Sequence, residues 1–202
     1  MAIDGAPVRP LRRDEHAAAV KTLAASFDDD PLFRSLLPDD ARRAAWLSWF
    51  HRCTLNECAS VGGVYTLASG PESGAVALLP PGSWPRPILQ TLAALRIPRA
   101  FPTFDFVRRG LHIERRIRAL HPRQEHVYVA VLGVHPSLQG RGLGATLMRH
   151  ACALASEGDC VVHLETSNPV NLPFYRRFGL EVGVEIVSHG GPPVWTLTTS
   201  HR

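Results

Sequence analysis

The stretch Gln139-Gly140-Arg141-Gly142-Leu143-Gly144-Ala145 is the first place where this sequence could do chemistry. It sits between an apolar run, His126–Val134, and a helical pattern over 143–156. Glycines let backbone turn sharply and approach a ligand closely. The first N–H groups of the helix that follows have no partner inside it, and with the helix dipole they form an anion site. Arg141 adds a charged donor beside them, so a pyrophosphate fits here. A P-loop would need GxxxxGK[ST], and no such run is present. Gly140, Gly142 and Ala145 do satisfy the dinucleotide pattern GxGxxG/A, with Glu165 near the spacing of a ribose-binding acid. That reading fails on context. His135–Gln139 separates the glycines from the strand, and too little chain follows Glu165 to finish a doubly wound sheet.

Other residues could handle protons or bind an amine. Glu165 ends a second apolar strand, where it could draw a proton from an amine, directly or through water. Alternatively it is a structural acid holding the turn at Asn168–Asn171. His126 and Tyr128 alternate on the preceding strand and are weaker candidates. Asp28-Asp29-Asp30 could attract a cationic amine, although Asp30-Pro31 also reads as a helix cap followed by proline at the first helical position. Trp46, Trp49 and Trp84 could line an aromatic pocket, with core packing the simpler use of the first two. The arginines of 108–118 suit a solvated helix face.

The elements that must position these groups are readable from periodicity. A short strand is expected at Val8–Leu11, then a helix from Asp14 as cap to about Phe27, and a second helical stretch over 40–60. Val64–Ala68 and Ala75–Leu79 flank turn residues 69–74 and read as a hairpin. Residues 83–105 form an excursion rich in Pro and Trp, followed by a helix from Phe106 to Leu120. The uninterrupted run His126–Val134 suits a strand buried on both faces. Gly133 within it points to a bulge or a close approach, or is a packing glycine. A helix over 143–156, a strand Cys160–Thr166, a helix Leu172–Phe178 ending at Gly179, and strands Leu180–Val187 and Val194–Thr198 complete the order. This is a single α/β (α+β mixed) domain over 1–202, with a central mixed sheet of about six or seven strands flanked by helices.

Composition bounds the rest. The 202 residues suit one core. No apolar stretch reaches the ~18 residues of a membrane span, and no signal core follows the N-terminus, so a cytoplasmic location with no membrane is expected. Cys53, Cys58, Cys152 and Cys160 show no zinc ligand spacing and read as reduced thiols, and no metal is expected. The net charge of +4 suits an anionic cofactor but is too modest to argue for nucleic acid. Arginine dominates over a lone lysine, Lys21, which with abundant Ala, Gly and Pro points to a GC-rich bacterial genome. Monomer and homodimer both stay open.

The stretch from Val134 through Pro136, Gln139, Gly140, Arg141, Gly142 and Leu143 to Gly144 resembles the acetyl-CoA motif of the GNAT superfamily, Q/R-x-x-G-x-G/A. Downstream, Asn171, Phe174, Tyr175 and Gly179 match its second motif, N-x-x-A-x-x-F-Y-x-x-x-G-F, with Pro173 near the usual Ala and Leu180 in place of an aromatic. Four stretches (19–27, 131–134, 164–167 and 171–175) are similar to the puromycin N-acetyltransferase-like branch, while 40–125 matches thinly. The resemblance implies an acetyl-CoA-dependent N-acetyltransferase. Its pantetheine arm would lie along 126–134, with an N–H near Leu132, Gly133 and Val134 polarising the thioester carbonyl. Gln139–Ala145 would hold the pyrophosphate, and Asn171 would bond the cofactor or cap a helix. Tyr175 would protonate the departing thiolate, or else pack in the core beside Phe174. A small-molecule primary amine is the expected acceptor. A protein lysine or N-terminus, and a non-catalytic acyl-CoA-binding module, are the alternatives.

Overall fold

The computed structural model describes residues 7–61, 63–83, 103–187 and 190–200. The expected Trp84 and most of the 83–105 excursion lie outside them. Strands β1 (Val8–Pro10), β2 (Val64–Leu67), β3 (Gly74–Leu79), β4 (His126–Val134), β5 (Val161–Thr166), β6 (Leu180–Ile186) and β7 (Val194–Thr199) form one sheet in the order β1-β2-β3-β4-β5-β7-β6. Among the described residues, only β4 and β5 pair in parallel. The helices are α1 (His16–Ser26), α2 (Pro31–Leu36), α3 (Asp40–Ala59), α4 (Phe104–Leu120), α5 (Leu143–Glu157) and α6 (Leu172–Arg176).

The expected cap at Asp14 is not used. Residues Arg13–Glu15 form a 3-10 turn, and the Glu15 carboxylate accepts from the Arg12 N–H at 3.0 Å while pairing with Arg9. That hydrogen bond to Arg9 holds the Glu15 carboxyl down to about 2. Asp30 caps α2 as expected, accepting from the N–H groups of Leu32 and Phe33. One buried guanidinium, Arg43, closes both turns around α2. It donates to the carbonyls of Asp28 and Leu37 and pairs with Asp28 and Asp40.

Side-chain alternation on the strands separates two faces. Val76, Leu78, Val127, Val129, Val162, Leu164 and Leu197 pack against α5 and Tyr175 of α6. Ala75, Ala77, Leu79 and Val131 pack against α1 and α3. Farther along that second face, Val194 and Ile186 meet Ile113 of α4, with Leu32 of α2 beside them. Trp46 and Trp49 are core residues, packed on each other and on Phe106.

Two irregularities matter for the site. The β3–β4 register steps from Ala77↔Val131 to Leu78↔Val129, so Ala130 is an extra residue, a bulge. It keeps Tyr128 and Val131 on the same face although they are three apart. The bulge is therefore at Ala130 and not at Gly133. A Cβ on Gly133 would stand 2.2 Å from Ser26 Oγ and 2.8 Å from Leu23, so this glycine is there for the close approach of α1 rather than of a ligand.

The second irregularity is a split in the sheet. Parallel pairing of β4 with β5 runs only from His126↔Val161 to Tyr128↔His163. Beyond that, β4 stays with β3 as far as Val134, while β5 stays with β7 as far as Thr166. The two strands diverge into a V, and among the described residues no strand fills it.

Candidate active site

The glycine loop stands at the mouth of this V. After β4, a 3-10 turn at Pro136–Leu138 leads to Gln139, whose side-chain amide donates back to the Val134 carbonyl at 3.1 Å. Gln139 thus fixes the loop against the strand end. Gly140 and Gly142 have φ of +75° and +84°, a region that favours glycine, and a Cβ on either would meet nothing within 4 Å. Backbone conformation and not crowding demands them, and the space above the loop is open. Gly142 is the N-cap of α5, and its carbonyl first receives the Thr146 N–H at 3.1 Å. The N–H groups of Leu143, Gly144 and Ala145 come before that bond, at the positive end of a 15-residue helix. Gly144 makes ordinary contact with Phe174 and Val134. Arg141 is exposed and donates to Ser137 O at 3.3 Å. The loop fits an anion, and the V behind it offers strand edges to an extended chain.

Tyr175 stands on α6, the helix that follows the open end of β5, and packs in the core. It is 8% exposed, and its ring packs at 5.0 Å from that of Phe174. Burial first, then the nearby Asp30 carboxylate, pushes its hydroxyl up to about 12, so it stays protonated at neutral pH. Asn171 does not cap α6. Its amide donates to Thr166 Oγ1 at 3.4 Å, while Asn168 caps the turn before it.

Asp30 reaches this point from the other side of the fold. Ser167, just past β5, donates to its carboxylate at 2.8 and 2.9 Å. Burial raises the Asp30 carboxyl above its usual range, and the hydrogen bond from Ser167 opposes that. Of the three aspartates, then, only Asp30 faces the site. Asp28 serves Arg43 and Asp29 pairs with Arg34.

Glu165 does not hold the turn at Asn168–Asn171; Thr166 does that, accepting from Asn168 N and Asn171. Glu165 is 8% exposed and belongs to a polar seam between the α1/α3 half and the α4 half of the second face. Its Oε2 accepts from the Tyr128 hydroxyl at 2.7 Å and its Oε1 lies 3.1 Å from His163 Nε2. His163 Nδ1 is 2.7 Å from Thr198 Oγ1. His126 is no isolated histidine either, for its Nε2 is 2.7 Å from His121 Nε2. Burial pushes the Tyr128 hydroxyl well up, with Glu165 adding to it, and burial brings the His121 imidazole down to about 3. The sequence reading missed Ser167, His163 and His121. For His163 the signal was present: it alternates with Glu165, as His126 does with Tyr128.

Residues 110–180 match the acetyltransferase (GNAT) family. Three solved structures share the fold across nearly the whole chain. The histone acetyltransferase HPA2 and related acetyltransferase from Corynebacterium glutamicum is 20% identical, with 96% of each chain covered and a TM-score of 0.67. The polyamine N-acetyltransferase of Drosophila melanogaster, an enzyme that forms N-acetylagmatine, is 17% identical over 97% of this chain and 99% of its own, at 0.66. Arylalkylamine N-acetyltransferase 2 from Aedes aegypti is 12% identical over the same shares, at 0.64. At these identities the likeness is one of fold.

Proposed function

We propose that the chain is an acyltransferase of GNAT type that uses acetyl-CoA, and that it acetylates a primary amine of a small molecule by direct attack on the thioester. One observation carries the acceptor class. A half-buried carboxylate, Asp30, is held by Ser167 just past the open end of β5, near Tyr175. A fixed anion there suits a cationic amine that must be drawn in and desolvated before it reacts. The polyamine and arylalkylamine enzymes that share the fold take acceptors of this chemistry.

The cofactor supplies an activated acetyl group as a thioester. Leu143, Gly144 and Ala145 N–H, with Gln139, Gly140, Arg141 and Gly142, would hold its pyrophosphate, and β4 from Leu132 through Gly133 to Val134 would receive the pantetheine arm. Asn171 is placed for a further cofactor bond. The amine nitrogen bonds to the acetyl carbon, and the carbon–sulfur bond breaks. Tyr175 gives its proton to the thiolate. The proton lost by the amine passes to Tyr128, whose own hydroxyl proton moves to Glu165. Glu165 is thus the base at one remove, and the depressed acidity of Tyr128 keeps it in the protonated form that a relay needs.

The four stretches similar to the puromycin N-acetyltransferase-like branch support that placement, and four free thiols suit a reducing cytoplasm. Free CoA release with a panel of amines tests the proposal. Release with one class of small amine, lost in Tyr175→Phe, supports it. Release only with peptides would move the acceptor to a polypeptide, and binding without release would make the chain a non-catalytic module.

A further inference from the structure

The polar seam holds more donor atoms than a proton relay requires. His121 comes from the C-terminal end of α4, His163 and Glu165 from β5. One ligand atom from each lies within 4.8 Å of the others. His163 Nε2 and Glu165 Oε1 are 3.1 Å apart. A tetrahedral ion with bonds of about 2.0–2.1 Å sets its donors roughly 3.4 Å apart, so small movements of the side chains would close the set. His121 can make such a movement, because it is the helix C-cap, with extended backbone at φ −63° and ψ 134°.

The orientation of the rings favours a central ion. His126 Nδ1 faces the Gln124 carbonyl at 2.7 Å, and a carbonyl can only accept. The Nδ1 therefore carries the proton, and Nε2 accepts a hydrogen bond from His121 Nε2–H at 2.7 Å, a bond that the ion would replace. Thr198 Oγ1 engages His163 Nδ1 and leaves Nε2 facing Glu165. Tyr128 steadies the other carboxylate oxygen. Outer partners that fix the far side of each imidazole and carboxylate are the usual support of a metal site. The ring centroids of His121, His126 and His163 lie 4.5–5.8 Å apart, so the three imidazoles meet at one place.

We propose that His121, His163 and Glu165, with His126 alongside, form a binding site for a divalent transition-metal ion of the zinc class, and that filling it stops acyl transfer. Imidazole nitrogens with one carboxylate select such an ion over magnesium or calcium, which prefer all-oxygen sets. The ion takes the place of the proton between His163 Nε2 and Glu165 Oε1, and that proton shifts to His163 Nδ1, which then donates to Thr198 Oγ1, so the ring stays a neutral ligand. A carboxylate bound to a dication no longer accepts the proton that Tyr128 would pass on. The inhibitory half rests on the proposed relay; the binding half does not.

The test uses the full chain after dialysis against a chelator. Cobalt(II) titration followed in the visible, and zinc competition against it, should show one equivalent bound with the spectrum of a tetrahedral or five-coordinate site. His121→Gln should weaken binding at least 100-fold while its circular dichroism and its acyl transfer match wild type. One equivalent of zinc should abolish CoA release by wild type and spare His121→Gln. Absence of saturable binding overturns the site, and so does binding of equal strength in wild type, His121→Gln and His163→Gln. Zinc binding with undiminished turnover overturns the inhibitory half. The cobalt spectrum needs no substrate, so it decides the site even where no amine is turned over.

Discussion

The two sides of the V, the proposed donor side and the proposed acceptor side, are built from different materials. On the donor side, Gln139–Ala145 presents backbone N–H groups, two glycines at positive φ and open space. On the acceptor side, Asp30, Ser167, Tyr128, His163 and Glu165 are side chains held by hydrogen bonds in partial or full burial. Backbone groups bind a constant ligand whatever the neighbouring side chains are. Buried titratable groups respond to any change of charge, and so can be tuned to one acceptor. Substitutions on the donor side should therefore change affinity for acetyl-CoA, and those on the acceptor side should change the rate or the choice of amine.

Tyr175→Phe is the sharpest cut between the two. Its hydroxyl has no hydrogen-bond partner among the described residues, so stability should hardly move. Loss of the acid should lower kcat about 10³-fold, with acetyl-CoA affinity within twofold of wild type; steady-state kinetics with calorimetry checks both. Because the hydroxyl sits at about 12, it remains a usable acid below that pH, and Tyr175 should add no alkaline fall to the kcat profile below about pH 11. A fall near pH 10 that vanishes in Tyr175→Phe would break this assignment.

Next in size is Gly142→Trp. A side chain at φ +84° is strained and would fill the open space at the helix N-terminus. Calorimetry should show acetyl-CoA affinity down at least about 100-fold, the cost of that strain plus a blocked anion site. Affinity retained would place the pyrophosphate elsewhere.

His51 tests how firmly α3 is packed, away from both sides of the V. It is fully buried in α3 against Phe27 and Phe50, and neither ring nitrogen has a hydrogen-bond partner among the described residues. Burial brings it down to about 3. The unfolded chain then binds a proton that the folded chain refuses between about pH 3 and 6.5. Stability from this residue is complete above pH 6.5 and declines as pH falls through that window, by about 2 kcal/mol at pH 5. Chemical denaturation of His51→Phe at pH 7 and pH 5 should show that decline removed. An equal decline in both proteins would place the acid sensitivity elsewhere.

The smallest effect should come from Asp30→Asn. Asparagine still caps α2, so the charge alone is lost. KM for a cationic amine should rise about tenfold while acetyl-CoA affinity stays put, the cost of one charge interaction in a half-wet site. A kcat loss with unchanged KM would make Asp30 part of the proton path instead.

The glycine loop and the elements around it were legible because their signals are contiguous. A strand, a glycine loop and a helix follow one another within 126–157, and backbone physics acts at that range. The second motif, 171–179, was readable for the same reason. The acceptor side depends on contacts between distant residues. Asp30 meets Ser167 across most of the chain, and His121 meets His163 only because α4 crosses the second face. No spacing rule encodes such meetings. Glu165 was found as a strand-end acid, but its partners come from β4 and from its own strand. Asp14 failed as a cap because Glu15 reaches back to Arg12 and starts the turn earlier.

The extra residue at Ala130 acts on β4 as a change of phase. Ahead of it, even-numbered residues look toward the seam; after it, odd-numbered ones do. The strand can thus serve two clients in one length, a hydroxyl for Glu165 at Tyr128 and a bare surface for α1 at Gly133. Deleting one residue here would leave every strand in place and yet turn one of those clients away, so the tolerance of β4 to insertion and deletion is set by parity and not by length.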